Sequence, residues 1–286
     1  MEKVLDGKAL AENLNEKLKK EIANSFSLTG FKPKLVAILV GDNPASKVYI
    51  NIKRKTCEKI GIEFESLELS GEITKLQLFN EIDKLNNDQK INGIILQIPL
   101  PKKLQKFSSD FVEHISPIKD VDGLHPYNQG KLFNYDESFA PATPKGIILL
   151  LEHYNVDLRG KEVVIINRSN LVGKPLIFMF LKRNSTVTIC HTSTINIENH
   201  IRRADILVVA VGKPKFITKE KIKKGVVIVD VGTNRVEGKL CGDVDFNDVY
   251  DKCSKITPSP GGVGPLTVSF LCHNTYHVFK NQMKLS

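Results

Sequence analysis

The chain has 286 residues, 41% of them hydrophobic and 26% charged, with a formal net charge of +9. These are globular values that exclude wholesale disorder, and the length allows one large or two ordinary domains. The positive charge favours acidic partners, such as nucleic acid, an anionic membrane or small polyanions.

The first half of the chain alternates helix-like and strand-like segments. A helical pattern runs from Gly7 to about Asn24. Apolar runs typical of strands then lie at Lys34–Val40, Phe64–Leu69 and Gly93–Ile98, with helical patterns between them at Ala45–Lys59 and Ile73–Leu85. Short apolar strands separated by helices indicate a parallel sheet covered on both faces.

The second half repeats this alternation. Predicted strands lie at Glu162–Ile166, Thr186–Ile189, Asp205–Val211 and Val226–Val231. Predicted helices lie at Pro144–Tyr154, Lys174–Arg183 and Leu266–Phe279, the last started by Pro265. The chain is therefore predicted to be an α/β protein with two parallel sheets.

Cysteine usage and hydropathy set the expected surroundings. The five cysteines lack CxxC spacing, so neither a disulfide framework nor a metal site is predicted. No apolar run is long enough to span a bilayer, and we expect a cytoplasmic protein without a membrane partner.

The helix predicted at Ala45–Lys59 carries a candidate site. Asn43-Pro44 is a favourable helix start, and Ser46, Tyr49 and Lys53 share one helix face at i, i+3 and i+7. Tyrosine beside lysine provides an aromatic platform next to a proton carrier. The alternative is a tyrosine ring packed on a lysine stem at a wet surface.

Two further polar positions follow in this half. Gln97 lies at the carboxyl end of a buried strand, where open α/β sheets place ligands. Asp120-Val121-Asp122-Gly123 resembles the start of a calcium loop, but the sixth position is His125 and the twelfth is Lys131. A carboxylate that contacts a substrate is the better interpretation.

The turn Asn167–Pro175, between a predicted strand and helix, is suited to nucleotide phosphate. Only Gly173 in it is a glycine, so it is not a GxGxxG fingerprint. The second strand ends without the acid that usually binds the ribose of NAD, whereas Arg168 is placed to meet a 2′-phosphate. Arg168 could instead be an exposed loop cation, but the two features together favour NADP.

The segment Thr257–Thr267 contains three glycines and three prolines in eleven residues. Proline fixes the backbone and glycine lets another surface approach closely, so this loop is a candidate for holding a substrate. A surface turn is the alternative.

These segments together resemble the bifunctional methylenetetrahydrofolate dehydrogenase/methenyltetrahydrofolate cyclohydrolase family. The matching stretches are Leu5-Asp6-Gly7-Lys8, Val40–Ser46, Tyr49–Lys53, Gln97–Pro101, Lys119–Gly123, Arg168-Ser169 with Val172–Pro175, Pro260–Pro265 and Asn274-Thr275. The resemblance implies oxidation of 5,10-methylenetetrahydrofolate with NADP, and hydrolysis of the methenyl product to 10-formyltetrahydrofolate, in one-carbon metabolism. It also implies a homodimer with tetrahydrofolate derivatives and NADP(H) as ligands.

The resemblance implies a two-domain architecture as well. Residues 1–143 with 266–286 would form a folate-binding catalytic domain, and residues 144–265 a Rossmann-like NADP-binding domain with a parallel sheet. The active site would be the cleft between them.

The family's functional residues map onto this chain by position. Lys53 would move protons in the cyclohydrolase step with Gln97 hydrogen-bonded to it, Tyr49 would stack on the aminobenzoyl ring, and Asp122 would bind the pterin. Further folate contacts would come from Ser46, Pro99, Pro260, Gly261 and Gly262. Cofactor contacts would come from Asn167, Arg168, Ser169, Gly173, Pro175, Thr192 and Thr233.

Four positions depart from the family pattern. Asn167 replaces a glycine, and we expect it to preserve the turn because asparagine is the next-best residue for positive φ. Thr192 replaces a serine, Ala142 a cysteine, and Thr233 an isoleucine beside the nicotinamide. These changes bear on cofactor affinity, so an enzyme that is mainly a cyclohydrolase is one alternative. A basic nucleic-acid-binding protein is another, disfavoured because no nucleic-acid-reading motif accompanies the charge.

Overall fold

The computed structural model of the chain describes residues 3–285 and divides into two compact units. The five-stranded unit comprises Met1–Glu12 and Lys131–Thr267, and the three-stranded unit comprises Asn13–Gly130 and Val268–Ser286. The division into residues 1–143 with 266–286 and residues 144–265 stays a prediction.

Helices and strands alternate along most of the chain, as predicted. The helices are α1 Gly7–Thr29, α2 Pro44–Ile60, α3 Lys75–Asn87, α4 Lys102–Gln105, α5 Ser108–His114, α6 Pro126–Phe133, α7 Ala142–His153, α8 Gly173–Lys182, α9 Ile197–Arg203, α10 Phe246–Val249 and α11 Val263–Met283. The strands are β1 Lys34–Val40, β2 Glu63–Leu69, β3 Gly93–Leu96, β4 Glu162–Ile166, β5 Thr186–Cys190, β6 Ile206–Val209, β7 Val227–Asp230, β8 Asn234–Val236, β9 Lys239–Cys241 and β10 Lys255–Ile256.

The three-stranded unit contains a parallel sheet in the order β2-β1-β3. In the central strand β1, every residue after Lys34 is buried, whereas the edge strand β2 alternates exposed and partly buried positions. This difference explains why the β1 sequence is continuously apolar and that of β2 carries a glutamate at every second or third position.

The five-stranded unit contains a parallel sheet in the order β10-β7-β6-β4-β5. The chain proceeds from β4 outward to β5, then returns to β6 on the other side of β4. This reversal makes the gap between β4 and β6 the switch point at which doubly wound sheets bind ligands. The predicted α/β fold with parallel sheets is confirmed.

Helix α2 begins where the Asn43-Pro44 pair predicts. The Asn43 side chain accepts a hydrogen bond from the Ser46 amide at 3.1 Å, and Pro44 occupies the first helical position, where no amide donor is needed. Gly61 ends the helix in the left-handed conformation at φ 94°.

Helix α11 begins at Val263, three residues before the predicted start at Leu266. A proline is tolerated throughout the first turn, where amides have no intrahelical partner, so Pro265 does not mark the first residue. The Pro/Gly-rich loop is therefore shorter than predicted and ends at Gly262.

In the described part of the chain, no helix combines the length and the apolar character needed to cross a membrane.

We expect Asn43→Ala to lower the free energy of unfolding by about 1 kcal/mol, because it removes the side-chain cap of α2. Thr74→Ala is a matched variant, since Thr74 caps α3 in a reciprocal capping box with Gln77. Urea unfolding measures both losses, and amide hydrogen exchange should place the first in α2 and the second in α3. An unchanged stability of Asn43→Ala would contradict the capping role.

Candidate active site

Lys53 and Gln97 meet in the three-stranded unit. The Lys53 Nζ donates a hydrogen bond to Gln97 Oε1 at 3.1 Å. Gln97 Nε2 donates to the carbonyl of Ile98 at 2.8 Å, and its backbone amide donates to Ile38 in β1 at 2.9 Å. The orientation of the Gln97 amide is thereby fixed with its oxygen toward the lysine.

The amine of Lys53 is bonded to a neutral group. Lys53 is partly buried, and it forms no ion pair with any residue in the range 3–285. The oxygen of a neutral amide accepts a hydrogen bond from the lysine amine but does not supply the full negative charge of a carboxylate. This arrangement suits a lysine that exchanges protons more than one that is fixed in a salt bridge.

Asp122 interacts electrostatically with Lys53. Burial raises the pKa of the Asp122 carboxyl, the positive charge of Lys53 partly opposes the rise, and Asp120 adds to it. The charge of Lys53 therefore acts on the Asp122 carboxyl, which is consistent with the two side chains belonging to one site.

Asp120 has a different role from Asp122. It is 2% exposed, and its carboxylate accepts hydrogen bonds from the amides of Leu124 and His125 and from Asn128 Nδ2. Asp120 therefore holds the turn that leads into α6.

Ser46 and Tyr49 lie on the same face of α2 as Lys53. Tyr49 is 45% exposed, so its ring is available for stacking. Ser46 is 2% exposed, and its hydroxyl has no hydrogen-bond partner in the described structure. Pro99 follows Gln97 by two residues, is exposed, and is joined to Ile98 by a cis peptide bond.

In the five-stranded unit, the loop 257–262 is fixed by its polar contacts. Thr257 Oγ1 accepts a hydrogen bond from the Asp230 amide at 2.7 Å, and Ser259 Oγ donates to the Gly232 carbonyl at 3.0 Å. The Gly261 carbonyl accepts from the Lys8 amide at 2.9 Å. The loop therefore has a defined conformation that presents Pro260, Gly261 and Gly262.

The close approach of Gly7 to this loop explains the Leu5-Asp6-Gly7-Lys8 segment. A Cβ atom at position 7 would lie 1.9 Å from the Gly262 carbonyl oxygen, so only glycine fits there. Leu5 continues the contact, because its amide donates to the Ile256 carbonyl at 2.8 Å.

The turn after β4 is organised by the Asn167 side chain. Asn167 Oδ1 accepts from the amide and the hydroxyl of Ser169, at 2.8 and 2.7 Å, and from the Gly173 amide at 3.0 Å. Asn167 Nδ2 donates to the Ala210 carbonyl after β6 at 2.6 Å. Asn167 does not have positive φ, so the expectation that asparagine is present for that reason is wrong; its carboxamide caps α8 instead.

Arg168 projects from this turn into solvent. It is exposed and forms no hydrogen bond or ion pair with any described residue. Thr192 follows β5 and Thr233 follows β7; both are exposed at the carboxyl edge of the same sheet. Pro175 is buried within the first turn of α8, so it supports the turn through packing.

Two acidic residues at this edge were missed by the sequence analysis. Asp230 is 4% exposed and Asp243 is 0% exposed, and both accept hydrogen bonds from backbone amides. Burial raises the pKa of Asp230 to about 6, although the amides of Asp243, Val244 and Gly232 oppose the rise. The only signal in the sequence was an aspartate at the end of one apolar strand and another directly after Gly242.

Within the described residues, no group of histidine, cysteine and acidic side chains could hold a metal ion. The three-stranded unit therefore presents a lysine hydrogen-bonded to an amide, a carboxyl whose pKa is raised and an exposed aromatic ring. The five-stranded unit presents a strand-to-helix turn with an exposed arginine.

Two protein-family models match the chain. The model for the tetrahydrofolate dehydrogenase/cyclohydrolase catalytic domain matches residues 5–122, and that for the NAD(P)-binding domain matches residues 141–283. A relative named bifunctional protein FolD, from Sulfurihydrogenibium sp. (strain YO3AOP1), is 48% identical over 283 residues, which are 98% of each chain.

Solved structures give the same result. The bifunctional methylenetetrahydrofolate dehydrogenase/cyclohydrolase FolD of Campylobacter jejuni matches with a TM-score of 0.94 and 44% identity, over 97% of this chain and 98% of the other. The Trypanosoma brucei methylenetetrahydrofolate dehydrogenase-cyclohydrolase, complexed with NADP cofactor and inhibitor, matches with a TM-score of 0.93 and 34% identity, over 99% and 100%.

Asp122→Asn should increase stability at neutral pH. The pKa of Asp122 is raised on folding, so its ionised form opposes the folded state at about pH 7. The gain should shrink as the pH falls and vanish below about 4, the pKa of an unfolded aspartate, because the carboxyl is then protonated in both states.

Urea unfolding at several pH values measures this effect. Asp42→Asn is the control, since a hydrogen bond from Lys47 lowers the pKa of Asp42 and its charge does not oppose folding. An Asp122→Asn protein less stable than the wild type at neutral pH would contradict the argument.

Proposed function

The chain belongs to the tetrahydrofolate dehydrogenase/cyclohydrolase family, and we propose that Lys53, oriented by Gln97, carries the proton transfers of its hydrolytic reaction. The enzyme oxidises 5,10-methylenetetrahydrofolate to 5,10-methenyltetrahydrofolate with NADP, then hydrolyses that product to 10-formyltetrahydrofolate. The observation that supports the lysine's role is the hydrogen bond from Lys53 Nζ to Gln97 Oε1.

The hydrolysis needs a proton acceptor and later a proton donor at one place. Water adds to the methenyl carbon and gives up one proton, which leaves a hydroxyl on that carbon. The bond from the carbon to N5 then breaks as N5 gains a proton, and the hydroxyl proton leaves to solvent as the formyl carbonyl forms. We assign both transfers to Lys53, which accepts a proton only as the neutral amine and returns it as the ammonium ion. Gln97 provides an acceptor for the amine in either state, so the lysine stays in position throughout.

Tyr49 and Asp122 are proposed to position the folate. The exposed ring of Tyr49 offers a stacking surface for the aminobenzoyl group. Asp122 would accept hydrogen bonds from the amino and ring N–H groups of the pterin, which would offset the desolvation that raises its pKa. Ser46 precedes Tyr49 by three residues on α2, and Pro99 follows Gln97 by two residues. Both are proposed as further contacts to the folate.

The dehydrogenase reaction makes different demands on the protein. NADP supplies the hydride acceptor when it is bound. The protein's task is to hold the methylene carbon in reach of that acceptor, which is a matter of geometry more than of an acid or base. We assign this positioning to Pro260, Gly261 and Gly262 on the folate side and to Thr233 on the nicotinamide side.

We assign recognition of the 2′-phosphate of NADP to Arg168. Its guanidinium is exposed and has no partner among residues 3–285, whereas the hydroxyl of Ser169 already donates a hydrogen bond to Asn167. Arg168 is therefore the stronger discriminator of the two residues assigned to that phosphate. Gly173 and Thr192 lie at the same edge and are proposed to contact the remainder of the cofactor.

The proposal extends to organisation and location. We infer a folate-binding domain of residues 1–143 with 266–286 and an NADP-binding domain of residues 144–265. We also infer a homodimer, which the family membership supports. A cytoplasmic location is inferred from the lack of CxxC pairs among the five cysteines, which is typical of a reducing compartment.

Lys53→Met should lower the cyclohydrolase turnover number by about a hundredfold to ten-thousandfold, the range expected for loss of a positioned acid–base group. The NADP dissociation constant should change little. Lys55→Met is the matched control, because Lys55 is exposed on the same helix and is not assigned to the site. Absorbance of the methenyl substrate follows hydrolysis, and near-normal turnover by Lys53→Met would refute the assignment.

Arg168→Ala should raise the KM for NADP by about tenfold to a hundredfold, the equivalent of one charge-assisted hydrogen bond. The KM for NAD should change little, since NAD lacks the 2′-phosphate. Lys174→Ala removes another exposed cation of the same turn and serves as the control. Equal effects of Arg168→Ala on both nucleotides would show that Arg168 does not discriminate between them.

A further inference from the structure

Asp243 joins two loops at the carboxyl edge of the five-stranded sheet. Its Oδ2 accepts from the amides of Val211 and Gly212, at 2.6 and 3.0 Å, in the loop after β6. Its Oδ1 accepts from the Lys213 amide and from Asn234 Nδ2, both at 2.8 Å. A carboxylate that is 0% exposed thus receives hydrogen bonds from the loops after both β6 and β7.

Asp230 completes the network from the end of β7. Its Oδ1 accepts from the amides of Gly232 and Asp243, at 2.9 and 3.0 Å, and its Oδ2 accepts from Val244 at 3.0 Å. Asp230 therefore fixes the backbone at Gly232, directly before Thr233, and also the segment that carries Asp243, which in turn holds the side chain of Asn234. The two buried carboxylates face amide donors, which is the condition that makes buried charges tolerable.

The fit leaves no space for adjustment. A Cβ atom at Gly232 would lie 2.3 Å from the Asp243 carboxyl carbon, and one at Gly242 would lie 1.8 Å from Asp230 Oδ2. Only glycine therefore fits at positions 232 and 242, where the carboxylates of Asp243 and Asp230 contact the backbone. A shift of either carboxylate should move the backbone segment that it contacts.

The position of this network relates it to the cofactor. Dinucleotides bind across the switch point of a doubly wound sheet, one nucleotide on each side. The Asn167–Pro175 turn and Arg168 take the adenosine side at β4, so the loops after β6 and β7 are left for the nicotinamide side. The hydrogen bond from Asn167 Nδ2 to the Ala210 carbonyl connects the two sides directly next to Val211.

We propose that Asp243, supported by Asp230, is a positioning residue for hydride transfer, which sets the nicotinamide-side loops at residues 211–213 and 232–234. The inference rests on the dehydrogenase function and on the assignment of these loops to the nicotinamide. Among the described residues, neither Lys53 nor Arg168 is hydrogen-bonded to this network, so loss of the carboxylate should affect the dehydrogenase reaction selectively.

The test is Asp243→Asn, measured in both reactions of the full-length enzyme. Both carboxylate oxygens of Asp243 accept hydrogen bonds from N–H groups, and the substitution replaces one oxygen with an NH2 group that cannot accept. The facing N–H groups then lose their partner, so the loops must shift. A shift of about 1 Å lowers turnover by about a hundredfold when reacting atoms must be aligned. We expect such a fall in the dehydrogenase turnover number, a change of less than about threefold in the KM for NADP, and cyclohydrolase turnover within about twofold of the wild type.

Asp205→Asn is the matched control. Asp205 precedes β6 at the opposite edge of the same sheet, where it accepts from the Glu162 amide at 2.9 Å and from Lys223 Nζ at 2.6 Å. It should lower stability without changing the ratio of the two activities. If both activities of folded Asp243→Asn fall in parallel, or if neither falls, the proposal is overturned.

Asn234→Ala decides the matter if Asp243→Asn does not fold, because it removes one side-chain donor to Asp243 and leaves both carboxylates. The expected result is a smaller selective fall in dehydrogenase turnover, and an unchanged activity ratio would overturn the proposal. A wild-type enzyme that cannot reduce NADP with methylenetetrahydrofolate would instead refute the dehydrogenase function itself, and this inference with it.

Discussion

Parallel pairing is the constraint on which the rest of this structure depends. All strands of both larger sheets are parallel, so the chain must cross back after each strand. Helices make most of these connections, although the one from β6 to β7 contains no helix. Polar side chains have little place in such strands, and they gather where the strands end. Gln97, Asn167, Thr233 and Asp230 all lie at or just beyond the carboxyl end of a strand. The arrangement of the candidate site is thus a consequence of the way the sheets are built.

The central strands were predictable from the sequence because they are buried on both faces. Strands β1 and β4 begin and end where the apolar runs do. The short helices α4, α5 and α10 have too few residues to show a helical period, and the hairpin β8–β9 consists of two three-residue strands. The start of α11 was displaced because Pro265 occupies the first turn without being its first residue.

The candidate site was predictable where side chains share one element or match a family motif. Tyr49 and Lys53 lie on one helix, and the pairing of Lys53 with Gln97, 44 residues away, came from the resemblance. Contacts to backbone amides leave no such trace in a sequence. The cap formed by Asn167 and the network of Asp243 depend on where N–H groups point after folding, and no residue pattern in the sequence records that.

The capped turn at Asn167 has a thermodynamic consequence. Because Ser169 and Gly173 are already hydrogen-bonded to Asn167, the loop is ordered before any nucleotide arrives. The conformational entropy of that segment is lost when the protein folds, not when the ligand binds. For nucleotide phosphate bound at this turn, as proposed above, association should therefore carry a small entropic penalty from the loop. The enthalpy of binding should then reflect chiefly the replacement of hydration by contacts to phosphate.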